Sequence, residues 1–103
     1  MVAAAGTLVN PLTYVSMSQN LLFFDGTELA QVVLVDQLHA HYGEQVKLIM
    51  TKGQPLEMTR QRKVQVYFDQ GASLIRKLGI TAVPTLVSQE GMLLRLDELE
   101  VKP

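Results

Sequence analysis

The chain has 103 residues, 48% of them hydrophobic and 18% charged, with a formal net charge of -1 and no cysteine. This size and balance suit one globular domain whose core needs no covalent staple. They exclude a charge field for nucleic acid or anionic lipid, a disulfide framework or thiolate metal site, and an apolar run near the ~20 residues that span a bilayer.

Residues 1–12 are small and polar around Asn10-Pro11 and read as an N-terminal arm. The start, Met1 to Gly6, lacks the basic n-region of a signal peptide. A single domain is expected over 13–100, with a tail at 101–103. Thr13 to Ser18 alternates weakly and offers an edge strand. Leu21-Leu22-Phe23-Phe24 is a continuous apolar run closed by Asp25-Gly26, the pattern of a strand buried on both faces. Asp25 is placed to cap the next helix, with Glu28 at capping-box spacing. That helix is expected over Thr27 to Tyr42, with Ala30, Leu34, Leu38 and Tyr42 on its buried face beside Val33, and Gly43 as its left-handed cap. Val46 to Met50 reads as a second strand, and the short connection makes a parallel crossover.

Pro55 suits the first turn of a short helix ending near Arg62. Val64, Val66 and Phe68 alternate with Gln65 and Tyr67, so this segment is extended. Asp69 is a candidate N-cap for a helix over Ala72 to Leu78, ended by Gly79. Thr85 to Ser88 and Met92 to Leu96 flank Gln89-Glu90-Gly91 as a hairpin. Asp97 to Lys102 is charged and expected to fray. The rings of Phe23, Phe24, Tyr67 and Phe68, and the five methionines, are assigned to the core.

The helix, Gly stop, Val83-Pro84 pair and strand over Gly71 to Val87 resemble the cis-proline segment of thioredoxin-like domains. The expected fold is therefore α/β and thioredoxin-like: a mixed central sheet, a βαβ unit followed by αββ, without the redox cysteines or the terminal helix. Without a thiolate there is no thiol–disulfide exchange. Where that fold carries its redox pair, this chain has Asp25, Gly26, Thr27 and Glu28, and the resemblance places Val83, Pro84 and Thr85 opposite them. These seven residues are the candidate partner-binding positions. The carboxylates also have a purely structural reading as helix caps, and the proline loop as a lock between helix and strand. His39 and His41 lie two apart and do not share a helix face, which disfavours joint metal ligation. The serines have no nearby base and the glycines form no phosphate loop. No catalytic residue, metal or cofactor is expected.

Several segments in order extend the resemblance: Ala5-Gly6-Thr7-Leu8-Val9-Asn10-Pro11-Leu12, Leu21 to Gly26, Ala30-Gln31-Val32, Gly53-Gln54-Pro55-Leu56, Tyr67-Phe68-Asp69-Gln70-Gly71 and Lys77 to Pro84. Over about residues 5–100 the chain is similar to the C-terminal half of the TraW family of F-type conjugative type IV secretion systems. The one noted departure is Thr85, where a small residue such as Ala is expected. The resemblance implies a periplasmic, non-enzymatic role in F-pilus assembly and plasmid transfer. It implies a TrbC-like pilus assembly protein and other periplasmic components as partners, no direct contact with nucleic acid and no membrane insertion. It also implies that the chain is part of a longer, exported precursor. The contacts expected are the seven positions above or the outer edge of the hairpin at Met92 to Leu96. The alternative is a redox-inactive thioredoxin-like module that binds unfolded clients or serves a chaperone system.

Overall fold

The computed structural model describes residues 7–9, 19–90 and 93–101. Its strands are β1 (Thr7–Val9), β2 (Asn20–Asp25), β3 (Val46–Lys52), β4 (Val66–Phe68), β5 (Thr85–Glu90) and β6 (Leu93–Glu98). Its helices are α1 (Leu29–Tyr42), α2 (Pro55–Arg62) and α3 (Ser73–Leu78). The six strands form one mixed sheet in the order β1-β6-β5-β2-β3-β4. β2 and β3 are parallel across α1, as are β3 and β4, while β5 runs antiparallel to both β2 and β6. The α/β order of a βαβ unit followed by αββ is present. β1 falls within the stretch read as an arm and pairs with β6, Thr7 opposite Leu96. The strand considered at Thr13 to Ser18 lies outside the described residues.

β2 is central because its neighbours on both sides are strands and its side chains feed two cores. Leu22, Phe23 and Phe24 are 0% exposed. Leu22 and Phe24 join Val35 of α1, Met58 of α2, Leu48, Met50 and Val66 on one face. Phe23 joins Ile49, Leu78 of α3, Ile80, Val87, Leu94 and Leu96 on the other. Alternating strand residues point to opposite faces, so a run with no polar gap is what a doubly covered strand requires.

α1 keeps Leu38 and Tyr42 of the expected face and replaces the rest. Val32, Val35, Leu38 and Tyr42 pack on the core, whereas Ala30, Val33 and Leu34 line a separate cleft with Gln37, Glu100 and Val101. The helix is apolar around much of its circumference, so periodicity alone does not choose a side. Gly43 closes it at φ 59° and ψ -131°, a positive-φ turn other than the left-handed helical one. Two further expectations change at the strands. Tyr67 and Phe68 are substantially exposed rather than core. The charged end is ordered by the sheet through Leu99: Asp97 and Glu98 belong to β6, Leu99 packs on the core, and its N–H donates to the Pro84 carbonyl at 2.9 Å, while Lys102 lies outside the described residues.

Asp69 does cap α3, at long range. Its buried carboxylate accepts from Leu74 N–H at 2.8 Å and Ile75 N–H at 3.0 Å, the second and third residues of the helix. The chain between them turns through Gly71 and Ala72, both at positive φ. α3 ends at Gly79 in the left-handed region, with Ile80 N–H donating to the Ile75 carbonyl, the pattern of a Schellman cap. Asp69→Ala is expected to lower unfolding free energy by about 2 kcal/mol, since two helix amides lose charged acceptors in a site closed to water. Urea unfolding followed by circular dichroism checks this, and a loss below about 0.5 kcal/mol would show that the cap carries little.

Candidate functional site

The seven candidate residues gather at one end of the sheet. Phe23 of β2 sits opposite Thr85 of β5, so the turn after β2 and the loop before β5 flank the same edge of the core. The carboxyl ends of the parallel strands and the start of α1 lie there too, the end at which open α/β sheets usually bind ligands. The Val83-Pro84 peptide bond is cis.

Asp25 does not cap α1 as expected. Its Oδ1 accepts from Thr27 N–H at 2.8 Å and from Thr27 Oγ1 at 2.6 Å, a self-contained Asx turn. The N-cap position belongs to Glu28, whose side chain makes no capping bond. Instead Gln31 reaches back, and its Oε1 accepts from Asp25 N–H at 2.8 Å. Thr27 and Glu28 are exposed, while Asp25 and Gly26 are half-buried.

Gly26 has a packing role. A Cβ there would lie 2.9 Å from the Lys52 carbonyl oxygen and 2.5 Å from the end of Met50. Gly26 N–H donates to that same carbonyl at 2.8 Å. Gly53 on the next turn is less tightly packed, its own added Cβ lying 3.3 Å from Gly26 Cα. The turns after β2 and β3 therefore touch backbone to backbone over the Met50 side chain.

On the opposite side of the end, Pro84 and Thr85 are buried and Val83 is half-buried. Thr85 Oγ1 donates to the Ala82 carbonyl at 2.6 Å. The Pro84 carbonyl is already held by Leu99. Of the seven residues, Gly26 and Thr27 line a sizeable cleft. That cleft, of about 500 Å³, runs between α1 and α2 over a floor of Val32, Met50 and Met58. Leu29, 77% exposed, stands at its rim.

The cleft walls are joined by Arg62 of α2, which donates from Nε to Asp36 Oδ1 at 2.7 Å and from an Nη to Asp36 Oδ2 at 3.1 Å. The hydrogen bond to Asp36 raises the Arg62 pKa above its ordinary value. The side chains are 31% and 48% exposed, so solvent screens the pair and its coupling is expected to stay below about 1 kcal/mol. Sequence reading missed this bridge because Asp36 and Arg62 lie on separate helices. It also missed Leu29 and Leu56, the latter 74% exposed, since a helix-first-turn Leu looks the same buried or open.

Compared with known proteins, the chain is 38% identical over 86 residues to Protein TraW of Escherichia coli (strain K12), a match covering 84% of this chain. The chain is a TraW homologue over most of its length. It spans 40% of the length of that TraW. No family model matches the chain, and no solved structure does. Among the described residues, no helix of this TraW-like chain is long and apolar enough to cross a membrane.

Gly26→Ala is expected to cost about 1–3 kcal/mol, because the added methyl meets a backbone carbonyl that cannot rotate away. Asp25→Asn should cost less than about 1 kcal/mol, since an amide oxygen still accepts from Thr27. Equilibrium unfolding of both variants tests the contrast; equal losses would contradict the assigned roles.

Proposed function

We propose that this chain is a redox-inactive, non-enzymatic interaction domain acting in periplasmic F-type pilus assembly and conjugative plasmid transfer. The observation that carries the reading is the similarity to TraW along most of the chain. A thioredoxin-like architecture fits it: the β2-α1-β3 unit, the antiparallel β5–β6 hairpin beside β2, and the Val83-Pro84 loop leading into β5 follow the expected order. The chain has no cysteine, so the end of the sheet that would present a thiolate in a redox relative offers an Asx turn and backbone instead. Thiol exchange needs a thiolate; recognition of a polypeptide does not.

The reachable part of this end is narrow. Asp25 and Gly26 hold the turn, Pro84 and Thr85 are enclosed, and Val83 is partly accessible. Thr27, Glu28 and the adjoining Leu29 are what a docking protein meets first. The partner expected is a TrbC-like pilus assembly protein of the same conjugation system.

Titration calorimetry of this domain with that TrbC-like protein is the test. Binding at micromolar affinity or tighter is expected, and Thr27→Arg/Glu28→Arg should weaken it by about tenfold through steric and charge mismatch. No heat between two folded proteins would remove the proposed partner. Tight binding with an unchanged double variant would retain the partner and remove this end of the sheet as its contact.

A further inference from the structure

From Leu94 to Leu96 the expected hairpin edge is already paired with β1; Met92 lies outside the described residues. The opposite edge of the sheet is β4. Tyr67 and Phe68 sit there side by side at 44% and 41% exposure. Successive strand residues point to opposite faces, so one ring borders each face of the same edge. The strand reads Val66-Tyr67-Phe68, with neither the charge nor the proline by which edge strands commonly avoid pairing with another chain.

Its backbone groups divide cleanly. Asp69 N–H donates to the Met50 carbonyl at 3.1 Å, so Asp69 and Tyr67 direct their peptide groups to β3. Val66 and Phe68 direct theirs outward. Val66 N–H is plugged by Thr59 Oγ1 at 3.0 Å. The Phe68 N–H has no comparable plug among the described residues.

Charge defines what fits. The Lys47 ammonium lies 4.1 Å from the centroid of the Tyr67 ring. Lys63 lines the same cleft of about 410 Å³ along the edge, together with His39 and Glu44. Neither lysine has a carboxylate within ion-pair range among the described residues.

We infer that the β4 edge accepts an extended acidic segment of a partner polypeptide, which pairs at Phe68 and sets its carboxylates against Lys47 and Lys63. Main-chain bonding supplies the docking, and the aromatic and lysine side chains select the sequence. The inference does not depend on which protein supplies the segment, so it can fail while the function proposed above stands, and the reverse.

The test is amide chemical shifts of the isotope-labelled chain titrated with a short alternating Val-Glu peptide at millimolar concentration, with an alternating Val-Lys peptide as control. Shifts centred on residues 64–70 are expected for the acidic peptide only, and Lys47→Glu/Lys63→Glu should weaken its binding about fivefold or more. No shift at β4, equal binding of the basic peptide, or an unchanged double variant overturns the inference. Shifts at β4 that grow with protein concentration in the absence of peptide would assign the edge to a second copy and overturn it as well.

Discussion

The double burial of β2 is the constraint on which the other elements depend. Phe23 and Phe24 leave water on opposite faces of one strand, and each needs its own cover. α1 and α2 supply it on one side, α3 on the other. Removing a large apolar side chain from water contributes roughly 1.5–3 kcal/mol, so exposing either face would forfeit a sizeable fraction of a small domain's net stability. The strands beside β2 follow from the same demand. An internal strand must pair its peptide groups along both edges, and β3 and β5 do so in opposite senses.

The end of the sheet inherits its geometry from this arrangement. β2 and β3 stop together, and their outgoing turns are pressed close enough that Gly26 has no room for a Cβ. Asp25 then satisfies Thr27 locally, and Gln31 takes over the Asp25 amide. In this way the turn between β2 and α1 is filled by short-range hydrogen bonds. The fold leaves polar and apolar surface around that end, but its own backbone accounts for most of the buried candidate positions. Thr27 to Leu29, and Tyr67 and Phe68 of β4, lie outside the locked turn and are exposed.

Parts of this were legible in the chain. The apolar run Leu21 to Phe24, the helix after it, Pro55 at the first turn of α2, Asp69 as the cap of α3 and Gly79 as its stop each rest on local rules. Local rules failed where a second element decides. Tyr67 and Phe68 belong to a segment that alternates as a core strand would, yet among the described residues β4 has a neighbour on one side only, and its rings are half in water. Asp25 has the spacing of a capping box with Glu28, but the chain turns before α1 begins and the carboxylate is spent on Thr27.

The sequence by itself determined two things: that no thiol chemistry is possible, since there is no cysteine, and that a doubly buried strand opens a parallel crossover. The tertiary structure alone decided which side of α1 is buried, that β1 pairs with Leu94 to Leu96 of the hairpin, and that β4 is the other edge of the sheet among the described residues. The reason is physical. A helix apolar on several sides carries no intrinsic preference for one of them, and a pairing between residues as distant as Thr7 and Leu96 leaves no signal in the local pattern of either segment.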